Sequence, residues 1–131
     1  MKTTEYKPGV FYPPHLNVWP HEKATAKALA DAGYYVEFRA PSSRKGAKSP
    51  DCFLNGVLWE MKSPRASSLK AVERNLKRGK WQSDRIIFDS RRMKGVPDAA
   101  IERELRARFD DIPEIKAIIF VGRGEKMVDI P

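Results

Sequence analysis

The sequence is poor in the residues that build several kinds of site. It has one cysteine, Cys52, and two histidines among 131 residues, which excludes an intrachain disulfide and a cysteine-based zinc site. No apolar run approaches the ~20 residues that a membrane helix needs, and the N-terminus lacks the apolar segment of a signal peptide. We therefore expect a soluble protein that acts in a cytoplasm, with Cys52 as a plain buried thiol.

Acidic residues are scarce in one segment of the chain. The net charge is +8, and residues 62–94 hold 11 basic but only 3 acidic residues. The net charges of the two flanking segments cancel each other. A localised basic zone indicates a polyanionic partner, so nucleic acid is the expected partner. A solvated basic face without a partner is the alternative.

The patterns predict one domain of the mixed α/β class. Residues 1–19 read as an extended Pro-rich arm packed on the domain, because their prolines prevent regular helix. Residues 20–131 form the domain itself, with the predicted order α-β-β-β-α-β-α-β-β. Helices are expected to begin at Pro20, at Ser63-Pro64 and at Pro97, and strands to lie over 34–38, 51–54, 57–62, 85–89, 115–121 and 127–130.

One predicted hairpin carries ionisable residues at a spacing that places them on one face of the strands. Asn55-Gly56 favours a two-residue type I′ turn, which places Asp51 opposite Glu60. Side chains alternate along a strand, so Lys62 lies on the same face as Glu60. Facing carboxylates repel each other, and Mg²⁺ or Mn²⁺ would offset that repulsion. The spacing therefore predicts a metal-dependent phosphodiesterase site, although an ion-pair cluster without metal would show the same pattern.

These residues resemble known nucleases. Pro50-Asp51 followed by Glu60-Met61-Lys62 is similar to the motif of the PD-(D/E)xK superfamily, whose restriction-endonuclease-like core would cover about residues 20–90. Over about residues 20–125 the chain resembles more closely the C-terminal tRNase domains of contact-dependent growth-inhibition (CdiA-type) toxins and their stand-alone relatives. The matching residues are His21-Glu22, Ser49-Pro50-Asp51, Leu58 to Pro64, Asn75-Leu76, Gln82 and the strand that ends at Asp89.

The resemblance implies a role for each matching residue. Asp51, Glu60 and Glu22 would hold Mg²⁺ or Mn²⁺, and Lys62 would position the attacking water and stabilise the transition state; these four form the expected catalytic set. Gln82 would be an auxiliary polar group. The implied substrate is tRNA, and the resemblance allows a cognate immunity or inhibitor protein as a second partner. The implied place of action is the cytoplasm of a target cell.

The basic zone supplies the expected contacts to nucleic acid. Four cations share one side of the second predicted helix, with Trp81 at its end, and phosphates are attracted by such a row. The predicted nucleic-acid-binding residues are Lys70, Arg74, Lys77, Arg78, Gln82, Arg91 and Arg92. Two other functions stay open: a DNA-directed nuclease of a phage or mobile element, for restriction or repair, and a non-catalytic nucleic-acid-binding protein.

Overall fold

The structure is a computed structural model that describes residues 5–41 and 49–131. Most of the predicted polar loop over residues 41–50 lies outside these ranges. The chain forms two compact units; Leu58 ends the first and Trp59 begins the second. Among the described residues, no helix combines the length and the apolar character needed to cross a bilayer.

The first unit is built on a β-α-β crossover followed by an antiparallel strand. Strand β1 pairs parallel to β2 with Gly9 beside Tyr35, and β2 pairs antiparallel to β3 with Arg39 beside Asp51. Val36, Phe38, Cys52 and Leu54 are buried, which confirms the expected buried thiol at Cys52. The elements are β1 (Gly9–Phe11), α1 (Pro20–Asp31), β2 (Tyr35–Arg39) and β3 (Asp51–Leu54).

Helix α1 begins and ends as its sequence predicts. Pro20 occupies its first position, where the missing N–H of proline costs no hydrogen bond. Ala26 and Leu29 are completely buried and form the apolar stripe. Beyond the last turn Gly33 adopts φ +108°, a conformation that a side chain would oppose.

The turn after β3 confirms the predicted hairpin connection. Asn55 and Gly56 have φ of 47° and 82°, and positive φ at both central positions is the mark of a type I′ turn. The Asn55 N–H donates to the Tyr35 carbonyl at 2.9 Å, and the Tyr35 N–H donates to Asn55 Oδ1 at 2.9 Å. The Tyr6 hydroxyl also lies 2.5 Å from where a Cβ on Gly56 would stand, so a side chain there would displace Tyr6 in addition to straining the backbone at φ 82°.

The second unit contains two successive β-α-β crossovers and a final hairpin. Strands β4, β5 and β6 pair in parallel, and β7 pairs antiparallel to β6. Glu60 stands beside Ile86 and Lys62 beside Phe88. The elements are β4 (Val57–Lys62, which begins before the boundary between the units), α2 (Lys70–Gly79), β5 (Arg85–Asp89), α3 (Asp98–Asp111), β6 (Ala117–Val121) and β7 (Met127–Ile130).

The core of the second unit lies between its helices and one face of its strands. Helix α2 contributes Val72 and Leu76, and helix α3 contributes Ile101 and Leu105, all fully buried. The strands contribute alternate residues, as one face of a sheet requires: Ile86, Phe88, Ile118, Phe120 and Ile130. Each such side chain contributes about 1.5–3 kcal/mol relative to an exposed one, so this cluster holds both helices in place.

Two predictions about the elements were incomplete or wrong. The mixed α/β class is confirmed, but the order gains β1, because residues 9–11 pair with β2. The second helix does not begin at Ser63-Pro64; it begins at Lys70, with Leu69 at its N-cap. The Ala66 carbonyl accepts a hydrogen bond from the Lys94 N–H at 3.1 Å, so this stretch bonds to another loop instead of continuing a helix.

Candidate active site and basic cleft

Glu60 and Lys62 lie side by side on β4. Lys62 Nζ is 3.3 Å from Glu60 Oε2, and each side chain is 21% exposed. This contact follows from the period of two along a strand, as the sequence predicted. The pair offers a carboxylate and an ammonium group in a half-buried setting, where charges interact more strongly than in open water.

The end of helix α2 shapes the surroundings of Lys62. Gly79 is buried, and a Cβ built on it would stand 3.4 Å from Lys62 Cε and 3.0 Å from Ile86 Cδ1. The absence of a side chain at Gly79 therefore lets the last turn of the helix approach the stem of Lys62. Packing of that stem limits the positions that the ammonium group can reach.

Asp51 begins β3 in the first unit and is 7% exposed. Its cross-strand partner is Arg39. The pKa of Arg39 is raised chiefly because its guanidinium donates to Glu37, and the charge of Asp51 adds a smaller effect in the same direction. The register that would place Asp51 opposite Glu60 stays a prediction.

Glu22 is 6% exposed on the first turn of α1. Its Oε1 accepts a hydrogen bond from the Trp19 N–H at 2.9 Å, which satisfies one of the donors that a helix start leaves open. Glu22 therefore has a role at the helix start in addition to the metal-binding role implied by the resemblance. A buried carboxylate is also expected to be fully hydrogen-bonded or to bind a cation.

Carboxylate oxygens are the hard donors that Mg²⁺ prefers, and a magnesium site at these residues stays a prediction. Within residues 5–41 and 49–131, no group of three or more His, Cys, Asp or Glu side chains could hold a metal ion. Mg²⁺ does not need such a cage, because it is commonly bound through one or two carboxylates together with waters and substrate phosphates.

The buried Asp89 forms an ion pair with the exposed Arg91 at the end of β5. The guanidinium of Arg91 meets both carboxylate oxygens, with Nη2 2.8 Å from Oδ2 and Nε 3.0 Å from Oδ1. The Arg91 N–H also donates to Oδ1 at 2.9 Å. The pKa of Arg91 is raised by its hydrogen bond to Asp89. Much of the positive charge of Arg91 is therefore neutralised within the chain.

A basic cleft lies between the loop after β4 and the loop after β5. It has a volume of about 610 Å³ and is lined by Arg65, Ala66, Ser67, Arg91, Arg92 and Lys94. Arg91 and Arg92, both predicted to bind nucleic acid, thus share one cleft with two cations outside the predicted set. We call these six residues the basic cleft.

The cations of α2 form a separate basic face. Lys70, Arg74, Lys77 and Arg78 are all exposed, and Lys77 pairs with Glu73 at 3.6 Å. Trp81 follows the helix and is 76% exposed, the largest fraction among the exposed large hydrophobic residues. Lys80 Nζ stands 5.1 Å from the centre of the Trp81 ring. Gln82, in the same connection, is half-buried.

The sequence interpretation missed Arg65 as a member of the cleft and left Lys94 out of the predicted nucleic-acid-binding residues. Arg65 was placed inside a predicted helix, where its side chain had no assigned neighbour. Lys94 was expected, together with Arg91 and Arg92, in a loop that could clamp phosphates. The available signal was the charge of residues 62–94, since both residues contribute to that excess. Their meeting depends on the parallel pairing of β4 with β5, which brings the ends of both strands to one edge.

A comparison with protein families identifies the chain. The profile of the contact-dependent growth inhibition CdiA C-terminal domain matches residues 48–127, more than half of the sequence. The chain belongs to this family. The CdiA C-terminal domain is a toxin domain of contact-dependent growth inhibition, so the present chain is classed with toxic effectors.

One solved structure has the same fold as this CdiA C-terminal domain. A chain of the "CdiA-CT/CdiI toxin and immunity complex from Burkholderia pseudomallei" aligns with a TM-score of 0.66 and 19% sequence identity, covering 92% of this chain and 97% of that one. At this identity the likeness concerns the fold alone. A comparison with curated proteins found no match.

Proposed function

We propose that this CdiA C-terminal domain is a metal-dependent endonuclease of the PD-(D/E)xK superfamily that hydrolyses tRNA after delivery into a target cell. The observation that carries the proposal is the contact between Glu60 and Lys62 on β4, 3.3 Å apart. Membership in a family of toxin domains supports a destructive activity. The basic cleft and the basic face of α2 support a nucleic acid as the substrate.

The chain's own residues have distinct roles in this reaction. Lys62 donates hydrogen bonds to the attacking water or to the phosphoryl oxygens and stabilises the charge that develops there. Asp51, Glu60 and Glu22 would hold the metal, as the resemblance implies. When bound, Mg²⁺ or Mn²⁺ polarises phosphoryl oxygens and lowers the pKa of a water. Attack at phosphorus by water leaves a 5′-phosphate and a 3′-hydroxyl, unlike cleavage by the 2′-hydroxyl of the RNA.

A gel assay with matched variants tests the proposal. Total tRNA, plasmid DNA and single-stranded DNA are incubated with Mg²⁺, Mn²⁺ or EDTA, with wild type beside Glu60→Gln and Lys62→Ala. Loss of one group that stabilises a transition state often costs about 10²–10³ in rate. Lys27→Ala is the control for Lys62→Ala, because it also removes a lysine from an ion pair, at an exposed position of α1.

The outcomes separate the candidate functions. Metal-dependent cleavage of tRNA that is lost in both site variants and kept in the Lys27 variant supports the tRNase. Cleavage of DNA alone keeps the site and points to a nuclease for restriction or repair. If no substrate is cleaved although nucleic acid is still bound, the proposed enzymatic activity is refuted, and the chain is a non-catalytic nucleic-acid-binding protein.

We also propose a cognate immunity protein as a partner. The solved relative with this fold is described as a toxin and immunity complex. The net charge of +8 favours an acidic partner. Expression of the wild-type chain should arrest growth, and the cognate partner should restore it. Cells that express the Glu60→Gln chain should grow without any partner.

A further inference from the structure

The basic cleft lies where a parallel sheet typically binds ligands. Its walls follow the carboxyl ends of β4 and β5, which pair in parallel, and in open α/β sheets ligands bind outside those ends. The Lys94 N–H donates to the Ala66 carbonyl at 3.1 Å and thereby joins the two walls. Lys62 ends β4 only three residues before Arg65, so the cleft begins beside the proposed catalytic lysine.

The cleft concentrates positive charge that the chain itself does not neutralise. Its lining contains four cations and no carboxylate. Arg91 is compensated by Asp89 at 2.8 Å. Among the residues that the structure describes, Arg65, Arg92 and Lys94 have no carboxylate within ion-pair distance. Like charges held together repel each other, so an anion in the cleft would be bound favourably.

The second wall of the cleft is held rigidly in place. Met93 is 1% exposed and packs in the core, and its carbonyl accepts a hydrogen bond from the Arg123 guanidinium. Ser90 Oγ donates to Asp98 Oδ1 at 2.8 Å. Because the loop is already anchored, little conformational freedom is lost when a ligand binds.

We propose that the basic cleft binds backbone phosphates of the nucleic acid that flank the scissile bond, with Arg65, Arg92 and Lys94 as the phosphate ligands. Arg91 has a different role: bound to Asp89, it positions the loop and contributes little charge to the ligand. The inference rests on the proposed nuclease function and deepens it, since it names the part of the substrate that this cleft holds.

The salt dependence of binding tests the proposal directly. Binding of fluorescently labelled tRNA is measured by anisotropy over a series of KCl concentrations, in the Glu60→Gln background to prevent cleavage. Each lost phosphate contact should reduce the slope of log K against log[KCl] by about one. We expect this for Arg65→Ala, Arg92→Ala and Lys94→Ala individually, and a reduction of about two to three for the triple variant.

Matched controls separate a local contact from a change in total charge. Arg103→Ala and Lys116→Ala remove the same charges from exposed positions outside the cleft and should leave the slope unchanged. Melting temperatures establish that the cleft variants are folded; removal of mutually repelling cations should not lower them. A cleft variant whose slope equals that of its control overturns the proposal, and so does a wild-type chain that binds no tRNA.

Cleavage by the chain with an intact Glu60 distinguishes this inference from the proposed function. If the wild type cleaves tRNA and the triple variant keeps the full salt slope, the proposed nuclease function is supported and the phosphate-binding role of the cleft is refuted. If the slope drops as expected but the wild type cleaves nothing, the cleft binds backbone phosphates, whereas the nuclease function and the position beside a scissile bond are refuted.

Discussion

Asp98, the first residue of α3, connects the loop after β5 to the loop after β6. Its Oδ1 accepts hydrogen bonds from Ser90 Oγ and Arg123 Nη1, both at 2.8 Å. Its Oδ2 accepts from the Arg123 N–H at 2.7 Å. We predict that removal of this carboxylate destabilises the chain and loosens one wall of the basic cleft.

The expected size of the effect follows from these bonds. A hydrogen bond to a charged group contributes about 1.5–3 kcal/mol, but three bonds to one carboxylate do not add fully. Asp98→Ala leaves the buried Ser90 hydroxyl with a weak bond to the Val121 carbonyl at 3.5 Å. We expect a loss of about 2–4 kcal/mol in the free energy of unfolding for Asp98→Ala and about 1–2 kcal/mol for Asp98→Asn.

The stability that the Asp98 carboxylate contributes should decrease as the pH falls. Burial acts to raise the pKa of Asp98, but donation from the Arg123 N–H and Ser90 Oγ, with the charge of Arg123, outweighs it and lowers the pKa. A carboxyl whose pKa is lower in the folded chain adds stability above its unfolded pKa, about 4. That contribution disappears as the pH falls through the folded pKa.

Urea unfolding at pH 7 and at pH 3.5 provides the measurement. Asp110→Asn is the control, because it removes an exposed carboxylate from the same helix. The difference in unfolding free energy between wild type and Asp98→Asn should be largest at pH 7 and smaller at pH 3.5. The reasoning is refuted if Asp98→Asn matches the control at pH 7, or if its deficit is equally large at both values.

Three further predictions concern the proposed site. Gly79→Ala should change the unfolding free energy by less than about 2 kcal/mol, because gained helix propensity offsets crowding. It should lower the cleavage rate about tenfold by displacing Lys62; a variant that cleaves as fast as the wild type would contradict this. Trp81→Ala should leave the melting temperature unchanged and weaken tRNA binding by about 1–3 kcal/mol through lost stacking, as measured by anisotropy; a lower melting temperature with unchanged affinity would argue for a structural role instead. Glu22→Gln should keep the hydrogen bond from the Trp19 N–H and the melting temperature but lose metal-dependent cleavage. Glu22→Ala should lose cleavage and also cost about 0.5–2 kcal/mol of stability. Full activity in Glu22→Gln would leave Glu22 with a capping role alone.

Local signals predicted the parts of the fold that depend on neighbouring residues. Asn55-Gly56 determined its turn because few other dipeptides tolerate positive φ twice in succession. The contact of Glu60 with Lys62 followed from the alternation of side chains along one strand. Pro20 and Gly33 marked the two ends of α1 for equally local reasons.

Features that depend on distant partners were not predictable in the same way. Ser63-Pro64 carries a good signal for a helix start, but the bond between Ala66 and Lys94 requires a loop there. Residues 9–11 form a strand only because β2 lies beside them. The basic cleft likewise forms only because β4 and β5 pair in parallel and bring their ends together. The local sequence of neither loop predicts that the two loops lie side by side.

Ion pairs within the chain, such as that of Arg91 with Asp89, reduce the number of phosphates that residues 62–94 can contact. Four of the 11 cations in residues 62–94 are tied to carboxylates among the described residues: Lys62, Lys77, Lys80 and Arg91. Seven cations of this segment remain, and at one phosphate each they neutralise about seven phosphates, which releases about five counterions from a single strand. Such a footprint is a small part of a folded tRNA. The cations of this segment would contact one local region of the substrate and leave the rest in solvent.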